Sequence, residues 1–165
     1  MILEIKKYPN PVLRKKCQEV TEITDEIRNL SQDIKETVKQ KDGLGLAAPQ
    51  IGELKRIIIV QAVNGAEVFI NPKITRKSKG TEIREEGCLS FPGLFLKIKR
   101  AGEIEMEFLN LWGEKKEMKA GGLSARIFQH EIDHLDGILL IDRIPFLQKL
   151  CQIMKFRFLG CRSKG

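Results

Sequence analysis

The two histidines of this 165-residue chain, the only ones it has, stand four residues apart in Gln129-His130-Glu131-Ile132-Asp133-His134. No other feature constrains the fold as much as this HExxH spacing. Residues i and i+4 share one face of an α-helix, so two imidazoles can close on a single divalent ion if the segment is helical. Glu131 then lies beside the ion, placed to take a proton from attacking water and return it to a leaving group. Leu123, Ile127, His130, Glu131 and His134 follow the stripe of an inward helix face. A buried, unpaired histidine pair is costly, and a metal removes that cost. Gly121-Gly122 before the stripe and Gly137 after it predict a helix from near Leu123 to near Asp136.

A catalytic site for a zinc-like ion normally takes three protein ligands and leaves a place for water. The chain excludes two common solutions. Leu140 stands where a metzincin would place its third histidine, and no glutamate follows Glu131 to serve as in thermolysin-like enzymes. Asp136, Asp142 and the cysteines at 17, 88, 151 and 161 remain as candidates. Cys88 is distinguished among them by its setting, Glu85-Glu86-Gly87-Cys88-Leu89-Ser90.

Three segments, Gly43-Leu44-Gly45-Leu46-Ala47-Ala48-Pro49-Gln50, Glu86-Gly87-Cys88-Leu89-Ser90 and Gln129-His130-Glu131-Ile132-Asp133-His134, resemble in order and spacing the signature motifs of bacterial peptide deformylases. The resemblance extends to Tyr8-Pro9-Asn10-Pro11-Val12-Leu13-Arg14, Ile70-Asn71-Pro72 and Leu135-Asp136-Gly137, and so covers nearly the whole chain. It implies a metal-dependent amide hydrolase that removes the N-terminal formyl group from formyl-methionine of nascent polypeptides and releases formate. It further implies that Cys88, His130 and His134 hold one divalent ion, natively Fe2+, with Zn2+, Ni2+ or Co2+ able to occupy the same site. Glu131 would be the general base and acid, and Gln50 and the backbone N–H of Leu89 would donate to the developing oxyanion.

The glycine-rich segment is a poor phosphate loop, since it lacks the Gly-Lys-Ser/Thr ending and a third glycine at dinucleotide spacing. Glycines there let main-chain groups around Leu44, Gly45 and Leu46 approach an extended peptide and pair with it as an added strand. Backbone pairing is blind to sequence, so preference for methionine must come from a pocket, for which Leu44, Leu123, Ile127 and the His130 ring are candidates. Arg84 and Arg126 stand where members of the family often carry aliphatic residues, which predicts a more polar pocket rim. Glu86 and Arg100 are expected to pair behind the metal loop and orient Cys88. Asp133 is expected on the helix surface or supporting the ligands, without a catalytic role.

The chain is long enough to bury about two-thirds of its unfolded surface as one domain, residues 1–165. Four cysteines without paired spacing, no signal peptide in Met1-Ile2-Leu3-Glu4-Ile5-Lys6-Lys7 and no apolar run of membrane length lead us to expect a monomeric cytoplasmic protein with free thiols and no membrane partner. Ile27, Leu30, Ile34 and Val38 predict a helix from about Thr24 to Lys41, capped by Thr24 or Asp25. Strands are predicted at Arg56 to Ala62, Glu67 to Ile70, Ile74 to Arg84, Phe95 to Arg100 and Glu103 to Leu111. Helices at both ends of a strand-rich middle indicate an α+β fold, mostly antiparallel, with the HExxH helix packed on the sheet.

The balance of 29 basic and 22 acidic residues, net +7, is unevenly spread. No acid follows Asp142, and Arg143, Lys149, Lys155, Arg157, Arg162 and Lys164 alternate with Phe146, Leu147, Leu150, Cys151, Met154, Phe156 and Phe158. This makes a basic amphipathic tail at about 145–165, and the resemblance implies that it can dock on the ribosome. The rival readings are a catalytically silent metal-binding or ribosome-associated protein on the same scaffold, and a metallopeptidase that cuts internal bonds. Glu131, Gln50 and Cys88 are all present, which weighs against the first, and the missing third ligands weigh against the second.

Overall fold

The computed structural model describes residues 1–62 and 65–162, with side chains placed as far as Met154. Helix α1 spans Asp25–Gln40 and turns Ile27, Ile34 and Val38 inward. Thr24 takes the cap position in an extended conformation, but its side chain makes no capping bond. The helix N-terminus is served instead by Asp25 and Glu26 in its first turn, which suit the positive end of the helix dipole.

Among the described residues, strands β1 (Gly45–Ala47), β2 (Ile57–Ala62), β3 (Gly65–Lys77), β6 (Glu103–Leu109) and β7 (Lys115–Gly121) form one sheet in the order β1-β2-β3-β6-β7. All its pairings are antiparallel. Strands β4 (Thr81–Cys88) and β5 (Phe91–Ala101) pair with each other as a separate antiparallel ribbon. Helix α2 (Gly122–Leu135) follows β7, and α3 (Phe146–Arg162) ends the described chain.

The run Ile57-Ile58-Ile59-Val60 is buried without a break because β2 is covered on both faces. Ile58 and Val60 pack with Phe69, Ile104 and Met106 against Ala125, Phe128, Ile132 and Leu135 of α2. Ile57 and Ile59 pack on the opposite face with Leu46 and Ile70 against Ile27, Ile34 and Val38 of α1. The expected helix-on-sheet arrangement is therefore present, with α2 crossing the sheet. A third cluster, Leu13, Phe91, Leu96, Ile98, Leu139, Leu140, Ile141 and Ile144, seats the β4–β5 ribbon. Among the described residues, no helix is long and apolar enough to cross a membrane.

Two strand expectations are corrected. Glu67 to Ile70 and the start of Ile74 to Arg84 belong to one strand, β3, which continues through Asn71-Pro72 by a register shift between Ile70 and Lys73. Asn71 adopts a positive φ of 50°, stabilised by its side chain, which accepts from Val20 N–H and donates to Val20 C=O, both at 2.8 Å. The chain then turns at Ser78-Lys79-Gly80, so Thr81 to Arg84 starts a different strand. Strand β7 went unread because Lys115, Lys116, Glu117 and Lys119 look like a solvated loop. Two of its lysines pair with the neighbouring strand, Lys119 meeting Glu105 at 3.0 Å and Lys115 meeting Glu107 at 2.7 Å.

Helix α2 stops because Gly137 turns left-handed, with φ 72°, and passes against the N-terminal segment. A Cβ there would lie 2.5 Å from the Arg14 carbonyl oxygen and 2.8 Å from its carbon. Gly137→Ala is expected to cost about 2 kcal/mol or more, from the positive φ and the backbone collision together. Thermal unfolding should then fall by about 4–8 °C, and an unchanged midpoint would refute this account of the helix stop.

Candidate metal centre

His130 and His134 lie one turn apart on α2, with ring centroids 5.0 Å apart and planes at 72°. Cys88 enters from the end of β4, where the β4–β5 register shifts between Gly87 and Cys88. An irregularity of this kind re-aims a side chain out of the ladder. Here it brings Cys88 Sγ to 3.2 Å from His134 Nε2. One ligand atom from each of Cys88, His130 and His134 falls within 4.8 Å of the other two. The HExxH helix and the cysteine motif, 42 residues apart in sequence between Cys88 and His130, thus converge.

The electrostatics suit a cation. Burial opposes ionisation of Cys88, but the pull of His134 and hydrogen bonds from His130 and His134 hold its thiol well below the ordinary range, so the thiolate is favoured. Glu86 is buried, which opposes its charge, yet bonds from His130 and Arg100 bring its carboxyl down to about 2. An ionised Glu86 can only accept, so His130 Nδ1, 3.0 Å from Glu86 Oε2, is the donor and Nε2 is left for the site. One thiolate and two imidazoles are a donor set for a divalent ion of the zinc or ferrous kind. Among the described residues, His134 Nδ1 and Glu131 Oε2 are buried without a hydrogen-bond partner.

The other third-ligand candidates are engaged elsewhere or lie apart. Asp136 pairs with Arg56 at 2.7 Å, and Asp142 pairs with Arg14 and, at 2.6 Å, with Lys149. Cys17 is buried in the core beneath α2 and Cys151 is exposed. The side chain of Cys161 lies outside those described.

Glu131 is buried beside the two imidazoles. Burial lifts its carboxyl, partly offset by His130 and His134, to about 6. Its Oε1 presses on Gly45, where a Cβ would stand only 2.6 Å away. The Gln50 amide is fixed at both ends: Oε1 accepts from Ala47 N–H at 2.8 Å, and Nε2 donates to Cys88 Sγ at 3.5 Å and Ser90 Oγ at 3.2 Å. A cavity of about 460 Å³ joins these groups and is lined by Gly45, Gln50, Leu89, His130 and Glu131.

Leu44, Leu123 and Ile127 line the same cavity, as the sequence predicted. Leu123 is not inward, however. It is 54% exposed at the cavity mouth, so the first turn of the stripe faces the cleft and the later turns the core. Phe91, Leu94 and Phe95 also line it and went unread. Their signal was the Phe-Pro-Gly-Leu-Phe run that continues the cysteine motif.

The expectation of a polar rim at Arg84 and Arg126 is corrected. Arg84 is absent from the cavity lining and pairs with Glu82 at 2.8 Å on the surface. Arg126 borders the cavity but is buried, its guanidinium bound to Glu86 at 2.6 Å. The expected Glu86–Arg100 pair is present, with contacts of 2.7 and 2.9 Å. Asp133 is buried too, holding Arg100 at 2.7 Å and bonded to Arg143. Ser90, which fixes Gln50, was not singled out from the sequence.

The family model for polypeptide deformylase matches residues 2–150, a span that contains every residue of this constellation. The chain belongs to the polypeptide deformylase family. It is 46% identical over 161 residues to the peptide deformylase of Thermodesulfovibrio yellowstonii, covering 94% of this chain and 97% of that one. The crystal structure of peptide deformylase from Thermotoga maritima aligns with TM-score 0.85 at 41% identity, over 88% of this chain and 99% of that chain. A class I type b peptide deformylase from Acinetobacter baumannii, solved with Met-Ala-Ser bound, aligns with TM-score 0.82 at 33% identity, over 87% of this chain and 99% of that chain. Deformylases of this family depend on a metal, and the Cys88, His130 and His134 cluster supplies a group that could hold one.

Proposed function

We propose that this chain, as a single catalytic domain, hydrolyses the N-terminal formyl group of formyl-methionyl peptides through an ion held by Cys88, His130 and His134, with Glu131 as general base and acid. Membership of the deformylase family carries the reaction. The observation that carries the assignment of residues is the convergence of one thiolate and two imidazoles beside a buried carboxylate whose pKa is lifted to about 6. An ion there, which we take to be ferrous iron with Zn2+, Ni2+ or Co2+ as substitutes, would supply Lewis acidity and lower the pKa of water at the site.

The chain's own residues do the rest. Glu131 accepts the proton of the attacking water and then delivers it to the departing amine, a task suited to a carboxylate with a pKa close to working pH. Gln50 Nε2 is held at the site by Ala47 and Ser90, ready to exchange its 3.5 Å contact with Cys88 for the developing oxyanion, and we assign the N–H of Leu89, which lines the same cavity, as the second donor. The backbone of Leu44, Gly45 and Leu46 offers a strand edge to the peptide, and Leu44, Leu123 and Ile127 receive the methionine side chain. The Met-Ala-Ser bound to the Acinetobacter baumannii relative supports a substrate of this class.

Gly45→Ala tests the packing of the base. The new methyl must displace Glu131, so metal content should hold while formate release falls by about 10-fold or more. Wild-type turnover in that variant would remove Gly45 from the account. The reaction class is tested by incubating the protein with formyl-Met-Ala-Ser and with a longer acetylated peptide. Formate from the first without internal cleavage of the second is the expected result, and the reverse pattern would make the protein a peptidase.

We also assign a monomeric, cytoplasmic enzyme whose basic C-terminal helix docks on the ribosome. Phe146, Leu147, Leu150 and Met154 are exposed on α3, and Lys149 lies among them. Lys155, Phe156, Arg157, Phe158, Arg162 and Lys164, which complete the tail in sequence, lie outside the described side chains. Cosedimentation with ribosomes should weaken steeply with salt and vanish when residues 146–165 are removed; salt-independent or undiminished pelleting would contradict this.

A further inference from the structure

We propose that Arg126 is a positioning residue for the metal centre, clamping Glu86 against His130 and tying the ribbon that carries Cys88 to the helix that carries both histidines. The inference rests on the reading of Cys88, His130 and His134 as the residues that hold the ion. Arg126 precedes His130 by one helical turn, so the two side chains leave the same face of α2. Both reach one carboxylate: Arg126 Nη1 donates to Glu86 Oε1 at 2.6 Å, and His130 Nδ1 donates to Glu86 Oε2 at 3.0 Å.

The same guanidinium grips the ribbon backbone. Nη1 also donates to Ile98 C=O on β5 at 2.9 Å, and Nη2 donates to Glu82 C=O on β4 at 2.8 Å. Cys88 closes the strand that holds Glu82 and Glu86, so any slip of β4 against α2 moves the sulfur relative to the imidazoles. The side chains of Arg126 and Glu86 are only 6% and 5% exposed, so water does not replace a lost contact at low cost. Arg100 holds Glu86 as well, but its remaining contact is to Asp133 and not to the β4 backbone. The buried guanidiniums of Arg100 and Arg126, with the part-exposed Arg143, face two carboxylates, Glu86 and Asp133, so neither buried acid is left without a cation. Lysine keeps the charge but lacks the planar fork needed to span a carboxylate and two carbonyls. An aliphatic residue leaves both carbonyls and Glu86 short of a donor.

The test compares wild type, Arg126→Lys and Arg126→Ile, each loaded anaerobically with Co2+. Three readouts are taken: release of cobalt to excess chelator, visible absorption of the cobalt site, and kcat and KM for formyl-Met-Ala-Ser. Release should be about 10- to 100-fold faster in Arg126→Ile, in line with the loss of a group that orients a ligand. Its absorption should shift, and kcat should fall while KM stays within about twofold. Arg126→Lys should recover thermal stability without recovering slow release, and it decides the matter if Arg126→Ile does not fold. Wild-type release and absorption in the folded variants, with only thermal stability lowered, would overturn the proposal and leave the ligand assignment intact. A wild-type protein that takes up no cobalt would overturn both.

Discussion

Replacing Glu131 by glutamine is expected to leave the metal content unchanged while formate release drops by about 10²- to 10⁴-fold. Glutamine has nearly the same shape, so the contact with Gly45 and the packing of α2 survive, but an amide cannot accept and return a proton. The carboxylate is suited to both tasks by its burial, which lifts it to about 6, against the neighbouring imidazoles that hold it down. Near neutral pH it is mostly ionised and able to accept, yet close enough to working pH to give the proton back. Metal analysis and formate release on the same preparation check the prediction. Turnover close to wild type in Glu131→Gln would overturn the mechanism.

Cys88→Ala is expected to lose the metal as well as the activity. The thiolate is the anionic member of the donor set and holds the site together across two separate elements, β4 and α2. Loss of groups that merely orient ligands weakens binding about 10- to 100-fold, and loss of the ligand itself should exceed that. Asp136 and Asp142 cannot take its place, since they are held by Arg56, Arg14 and Lys149. The fold should persist, because the clusters on both faces of the sheet do not include Cys88, which packs only at the margin of the cluster under the ribbon. Gel filtration followed by metal analysis gives the answer, and stoichiometric ion in a folded Cys88→Ala protein would show that the third ligand lies elsewhere.

The contrast between the two variants shows which parts of the site were legible in the sequence. His130, Glu131 and His134 sit within one helical turn, so local periodicity places them together. Cys88 needed the fold to bring it there, and only the likeness of its surrounding motif pointed to it. The apolar run of β2 and the stripe of α1 were readable because burial leaves a pattern in composition. Strands β1 and β7 were not: β1 is three residues opened by a glycine, and β7 is built from lysines matched to glutamates on β6. Arg126 was misread for a related reason. A lone arginine on a helix looks like a rim charge until the folded ribbon supplies one carboxylate and two carbonyls for it to hold.

The central claim, that an ion held by Cys88, His130 and His134 drives deformylation, is tested most directly by titrating metal-stripped protein with ferrous iron under anaerobic conditions and following formate release from formyl-Met-Ala-Ser. We predict that turnover rises in proportion to added iron, saturates at one ion per chain, vanishes with chelator and returns with nickel or cobalt. Turnover that is indifferent to metal, or a fully loaded protein that releases no formate, would contradict it.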